Sequence, residues 1–254
     1  MKSGFVVLVG RSNVGKSTLL NSLVGTKVAI TSDKPQTTRF PTHGVIHDPR
    51  GEIVFVDTPG IFEKPHDRVT KALNEHARAS LEGVDALVYV TDPTRYIGAE
   101  EEIILKLIRP LTIPKIMVIN KVDSPEAIYI NDYRKLAPQF LKTIELSALR
   151  GSDLNQLIST LFEQLPEGEP SYSEFQRTNI ETRQWIAEVI REKIFIQMEK
   201  EIPYGVAVEV QELEERETKK GEPVLYVAAE ILTAYPNHKK MLIGSGGRKI
   251  KALG

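Results

Sequence analysis

The 254-residue chain is predicted to fold as an α/β domain built on a mixed, mostly parallel sheet, followed by a small α+β domain. Three observations predict this. Short β-branched runs alternate with longer amphipathic stretches from residue 5 to about 165. A break, Pro166-Glu167-Gly168-Glu169-Pro170, follows directly on a helix ending at Leu165. Beyond it the order becomes one long helix followed by strict alternation. Domains are therefore expected at 1–165 and 177–254, with 166–176 as linker.

Phe5–Val9 opens the sheet, and Gly44–His47 and Ile53–Asp57 flank the turn Asp48-Pro49-Arg50-Gly51, which joins antiparallel neighbours. Ala86–Val90, Ile116–Asn120 and Thr143–Leu146 complete it. Between them Val69, Leu73, Ala77 and Leu81 recur at helical spacing, as do Ile104 with Ile108, and Leu154, Leu157, Leu161 with Leu165. In the second unit a helix is expected over about Glu181–Lys200. Alternation through Tyr204, Val206, Val208 and Val210 then leads over a charged hairpin tip, Glu212–Lys220, to a strand around Val224–Leu232.

The composition, 41% hydrophobic and 26% charged, is that of an ordinary soluble globular protein. With 33 Lys+Arg against 34 Asp+Glu, any polyanion contact needs a local basic cluster. The absence of cysteine excludes disulfides, thiol nucleophiles and Cys-ligated metals, and the five histidines show no ligand spacing. No run approaches the ~18 apolar residues of a membrane span, and no cleavable signal precedes the first strand, so a cytoplasmic protein is expected.

Gly10-Arg11-Ser12-Asn13-Val14-Gly15-Lys16-Ser17 matches GxxxxGK(S/T), runs on into Thr18, and sits between a strand and a helix as the motif requires. A chance match in a chain this long is on the order of one in a hundred. Backbone N–H groups of such a loop cradle a polyphosphate, Lys16 adds charge at the β/γ oxygens, and the Ser17 hydroxyl can ligate Mg²⁺. Asn120-Lys121-Val122-Asp123 follows the fifth strand at the carboxyl edge, where open α/β sheets bind ligands. The Asp123 carboxylate can accept from N1–H and the N2 amino group of guanine together, for which adenine has no matching donors. Lys121 would lie over the base, and Asn120 would tie this loop to the phosphate loop. Asp57-Thr58-Pro59-Gly60 places a carboxylate near Mg²⁺ and Gly60 near a γ-phosphate, and Ser147-Ala148-Leu149 would support the guanine. Lys34-Pro35-Gln36-Thr37-Thr38-Arg39, in a loop of roughly seventeen residues, would lend a threonine hydroxyl to Mg²⁺.

Together with the segment Ala187–Lys193 and a C-terminal GxxG loop, these motifs resemble the Era family within the TrmE-Era class of translation-factor-like GTPases, over nearly the whole chain. Two departures, Ser12 where the family has proline and Tyr172-Ser173-Glu174-Phe175 in the linker, remove no ligand. The resemblance implies a P-loop GTPase domain followed by a type II KH-like RNA-binding domain, with Thr38 in preference to Thr37 as the magnesium-binding threonine. Ile61 stands where a Ras-type glutamine would orient water. The resemblance therefore implies K⁺ held by Asn13 and the 34–39 loop, slow intrinsic turnover, and positioning and charge neutralisation by Lys16, Thr38 and Gly60 in place of a covalent intermediate. His66 reads as a surface residue, not a base. Loss of the γ-phosphate would release the Thr38 and Gly60 segments together.

Gly244-Ser245-Gly246-Gly247 looks like the GxxG turn with which KH domains clamp single-stranded RNA. Lys239, Lys240, Arg248, Lys249 and Lys251 surround it, with no acidic residue from Ile231 to Gly254. A KH fold needs a further strand after its second helix, so the module is expected to be truncated and its RNA binding weakened. By the resemblance the RNA lies near the 3′ end of small-subunit rRNA, the process is small ribosomal subunit assembly, and peripheral contact with the inner membrane face accompanies a cytoplasmic location. Two rivals are a P-loop kinase or ATPase, which Asn120–Asp123 argues against, and a related GTPase acting in tRNA modification or at membranes with a protein-interaction C-terminal unit.

Overall fold

The computed structural model describes residues 1–60, 68–218 and 220–254. Ile61 and His66, and the side chain of Val69, lie outside what is described. The chain divides into two compact units, Met1–Asn179 and Ile180–Gly254.

In the first unit β1 (Lys2–Val9), β2 (Thr42–Asp48), β3 (Gly51–Asp57), β4 (Ala86–Thr91), β5 (Lys115–Ile119) and β6 (Lys142–Glu145) form a six-stranded sheet in the order β2-β3-β1-β4-β5-β6. Only β2 runs antiparallel, paired with β3 through the expected tight turn. The alternation along β1 explains why the sheet is covered on both faces. Val6 and Leu8 point into one apolar layer with Leu19, Leu20 and Leu23 of α1 (Lys16–Val24) and Leu157, Leu161 and Phe162 of α5 (Leu154–Gln164). Val7 and Val9 point into the opposite layer with Ala77 of α2 (Arg68–Ala79) and Ile104 and Ile108 of α3 (Ala99–Ile108). Each such fully buried aliphatic side chain contributes ~1.5–3 kcal/mol. A short helix the periodicity did not predict, α4 (Ile130–Arg134), buries Tyr133; five residues are too few to show a helical repeat.

The segment expected as a linker belongs to the first unit, which continues past residue 165 to Asn179. Glu52 of β3 is fully buried and accepts from the backbone N–H groups of Ser171 (2.7 Å) and Tyr172 (3.2 Å), while the Tyr172 hydroxyl meets His43 Nδ1 at 2.6 Å. The Val45 N–H donates to the Arg177 carbonyl and the His43 N–H to Asn179 Oδ1, so 177–179 extends the open edge of β2. A buried carboxylate needs such donors, and these amides supply them. The proline and glycine pattern marked where the helix stops, not where the domain ends.

The second unit comprises α6 (Thr182–Gln197), a two-stranded antiparallel sheet of β7 (Val206–Glu217) and β8 (Pro223–Thr233), then α7 (Pro236–Ile243) and α8 (Arg248–Leu253). Ile194, Met198, Val206, Leu242 and Leu253 form its core. No helix among the described residues is long and apolar enough to cross a membrane.

Candidate functional site

β1 delivers the chain into the 10–15 loop, and α1 begins at Lys16 directly behind Gly15, so the helix N-terminus opens onto the loop. Lys16, 6% exposed, donates to the carbonyls of Gly10 and Arg11, each at 2.9 Å. Burial pushes its ammonium down to about 8, against the opposing pull of Asp57 and Glu100. The Arg11 guanidinium turns inward and pairs with Glu101 of α3, Nε to Oε1 at 2.8 Å, so this residue offers the loop its backbone. Val14 is part of the core and locks the loop onto the sheet.

Three segments far apart in sequence meet at Asp57, at the tip of β3. Ser17 Oγ donates to Asp57 Oδ2 at 2.5 Å, Thr38 Oγ1 donates to the same oxygen at 3.3 Å, and the two hydroxyls lie 3.0 Å apart. Thr37 instead bonds the Lys34 carbonyl at 2.7 Å, so it is Thr38 that joins the cluster. Asp57 is fully buried, and burial raises its carboxyl pKa despite Lys16 and these hydrogen bonds. Among the described residues its second oxygen, Oδ1, has no hydrogen-bond partner, and neither does the buried Ser12 hydroxyl. Buried polar atoms without partners are expensive. Two hydroxyls and one carboxylate with a spare oxygen are the donor set of a hard cation that also binds phosphate, so these residues fit Mg²⁺.

Thr58 donates to the Leu8 carbonyl at 2.8 Å and so fixes Pro59 and Gly60 beside β1. A Cβ on Gly60 would meet Ser12 Oγ at 2.5 Å and its backbone nitrogen at 2.8 Å; only glycine lets this segment touch the phosphate loop.

β5 and β6 carry the two loops that the sequence predicts will read the base. Asn120 Nδ2 donates to the Val14 carbonyl at 2.8 Å and its Oδ1 accepts from the Ala148 N–H at 2.9 Å, binding three loops with one amide. Lys121 donates to the Asn13 carbonyl at 2.8 Å and to Asp92 at 2.6 Å. Asp123 accepts from Arg150 Nε at 2.9 Å, and hydrogen bonds, foremost from Ser147 and then from Arg150, hold its carboxyl below the usual range. Ser147 and Ala148 are buried, whereas Leu149 is 82% exposed and offers only its backbone to such a loop. Asn13 reaches the Asp33 carbonyl through its side-chain amide, joining the phosphate loop to the segment that leads to Thr38. Asp92, Glu101 and Arg150 were not anticipated; the legible sign was Asp92, a carboxylate at the carboxyl edge of a central strand.

In the second unit Gly244, Gly246 and Gly247 all have positive φ (72°, 60° and 76°), the left-handed conformation that lets α7 and α8 meet in a tight turn. Lys249 packs its stem over Gly244, Arg248 Nε donates to the Ser245 carbonyl at 3.3 Å, and Lys239, Lys240 and Lys251 are exposed. The predicted RNA-binding residues therefore surround one turn.

Residues 5–121 match the family model described as a 50S ribosome-binding GTPase. The chain is 42% identical to GTPase Era of Carboxydothermus hydrogenoformans over all of its own length and 85% of the relative's. Its fold matches, with a TM-score of 0.91 and 37% identity over the whole chain and 86% of the other, the crystal structure of Era in complex with MgGDPNP and nucleotides 1506–1542 of 16S ribosomal RNA. A variant of Aquifex aeolicus Era bound to GDP·AlF4⁻ matches equally well, with a TM-score of 0.91 and 37% identity over the same shares. With identity of this level along its full length, the chain belongs to the Era family of GTPases.

Proposed function

We propose that this GTPase binds GTP with Mg²⁺ at the strand tips, hydrolyses it slowly, and through its nucleotide state governs an RNA-binding unit that engages single-stranded RNA near the 3′ end of small-subunit rRNA during small ribosomal subunit assembly. The observation that carries the reading is the meeting of Ser17, Thr38 and Asp57 around a carboxylate oxygen that has no partner among the described residues. The RNA half rests on the likeness to Era bound to a 16S segment and on the acid-free basic turn at Gly244–Gly247.

Ser17, Thr38 and Asp57 would hold Mg²⁺, which when bound neutralises charge on the phosphate oxygens. The backbone of 10–15 and Thr18 orients the phosphates, Lys16 supplies a positive charge where charge develops, and Gly60 offers its N–H beside Ser12. Asn120, Lys121 and Asp123, backed by Ser147, Ala148 and Leu149, select guanine. Because Thr38 and Gly60 both answer to the terminal phosphate, its loss frees two segments at once. Asn13 and the 34–39 loop, already joined through the Asp33 carbonyl, would hold K⁺. Membrane contact and tRNA modification form no part of this reading.

Turnover of GTP is expected to be faster in K⁺ than in Na⁺ at equal ionic strength, and equal rates would remove the cation from the scheme. For RNA, Gly246→Asp is the sharper probe. A Cβ there meets nothing within 4 Å, and aspartate tolerates a φ of 60°, so the variant keeps the turn and adds only a negative charge. Crosslinking to an oligonucleotide of the rRNA 3′ end should fall about tenfold or more, as expected for a charge reversal against a phosphate backbone; undiminished crosslinking would move the RNA site elsewhere.

A further inference from the structure

Asp92 opens the turn out of β4, next to the base-reading loop but outside it. Its carboxylate is 1% exposed and fully engaged. Oδ1 accepts from the Thr94 N–H at 3.0 Å and the Thr94 hydroxyl at 2.7 Å, which fixes the rotamer of the aspartate. Oδ2 accepts from Lys121 Nζ at 2.6 Å. The same ammonium donates to the Asn13 carbonyl at 2.8 Å. Lys121 is thus a bridge with one foot on the phosphate loop and one on the turn that follows β4.

Its backbone is constrained as well. Lys121 has a φ of 58°, a left-handed conformation uncommon for a residue with a Cβ. It is held there by the Asn120 N–H on the Thr91 carbonyl at 3.0 Å before it and by the Val122 N–H on the Leu146 carbonyl at 3.4 Å after it. A lysine side chain carries ~2 kcal/mol of rotamer entropy. Without a fixed anion at its tip, the stem would sweep the space where a base must lie. Burial opposes ionisation of Asp92, but the hydrogen bonds from Lys121 and Thr94 outweigh it and keep the carboxyl below its ordinary value.

We infer that Asp92 is a positioning residue for guanine-nucleotide binding: anchored by Thr94, it holds the Lys121 ammonium against the Asn13 carbonyl and so presents the lysine stem as one wall of the base pocket. The inference rests on Lys121 belonging to the base-reading loop. It adds a residue from another strand to that loop, and it links base and phosphate recognition through one ammonium group.

A wall that is the same for substrate and transition state changes binding and not the chemical step. Asp92→Asn, which keeps the shape and the Thr94 contact but loses the charge, should raise the KM for GTP and the Kd for GDP about tenfold, as for the loss of one charge-assisted hydrogen bond, with kcat within about twofold. A merely structural role would lower the active fraction, so that apparent kcat falls at unchanged KM. The decisive arm is Lys121→Met. Asp92→Asn introduced on that background should shift Kd less than about twofold, because the group it acts through is gone. An unchanged KM in Asp92→Asn, or the full tenfold loss repeated on the Lys121→Met background, overturns the inference. If Lys121→Met and Asp123→Asn both leave GDP affinity intact, the base-loop reading has failed and this inference falls with it. If those two lose affinity and Asp92→Asn does not, only the inference has failed. Should Asp92→Asn not fold, Thr94→Val, which removes the hydroxyl donor to Oδ1 and leaves the backbone N–H in place, reads the same link: a KM increase of about threefold is expected for a neutral hydrogen bond, and no increase overturns it.

Discussion

Asp123→Asn is expected to convert this protein from a guanine to a xanthine nucleotide binder, lowering affinity for GDP roughly a hundredfold or more while xanthosine diphosphate gains. The physical basis is donor–acceptor matching. An ionised carboxylate accepts from two adjacent donors on the guanine edge. An amide offers one oxygen and one N–H, and that N–H finds its acceptor in the oxygen xanthine carries there. The structure keeps Asp123 ionised: the Ser147 hydroxyl and Arg150 hold its carboxyl below the ordinary value, so no change in protonation blurs the comparison near neutral pH. The substitution is isosteric and Arg150 is largely exposed at 70%, so folding is not at stake. Titration of fluorescent GDP and XDP against both proteins measures the swap, and an unaltered GDP affinity would remove Asp123 from base recognition.

The parts legible in the sequence are those whose chemistry is local. Gly10–Ser17 announces itself because a strand, a glycine-rich turn and a helix must follow one another within a few residues to aim amides at phosphate. The sheet was legible because β-branched runs such as Ile53–Asp57 and Ala86–Val90 have no polar face to alternate with when both sides are covered. What was not legible is pairing across long separations. Nothing near Glu52 says that a buried carboxylate will receive Ser171 and Tyr172, so the reach of the first unit to Asn179 was hidden. The Arg11–Glu101 pair is of the same kind: Tyr133 donates to Glu101 at 3.1 Å from a helix too short to predict, and the guanidinium looks from sequence like a phosphate ligand. The choice of Thr38 over Thr37 rested on the family resemblance alone, since adjacent threonines in a loop have no periodicity to separate them; in the structure it is Thr38 that reaches Asp57, while Thr37 bonds the Lys34 carbonyl.

The remaining large effect concerns Lys16 and pH. Free in water a lysine ammonium titrates at 10.5; here burial brings it down to about 8, with Asp57 and Glu100 pulling the other way. The protein without nucleotide therefore gives up this proton near pH 8, while the unfolded chain keeps it to 10.5. Between those values the unfolded state binds more protons, and the Lys16 contribution to stability rises with pH. Nucleotide binding runs in the opposite direction. The triphosphate needs the ammonium, so above about pH 8 each binding event must first recover a proton, and the KM for GTP should climb toward tenfold per pH unit between pH 8 and 9. Below about pH 7 the group is almost wholly charged and KM should be flat. Lys16→Met supplies the control. The variant is expected to bind GTP weakly and to hydrolyse it at least a hundredfold more slowly, but its residual affinity should no longer depend on pH across this window. A slope that survives in Lys16→Met would assign the proton to another group and return Lys16 to an ordinary, permanently charged lysine.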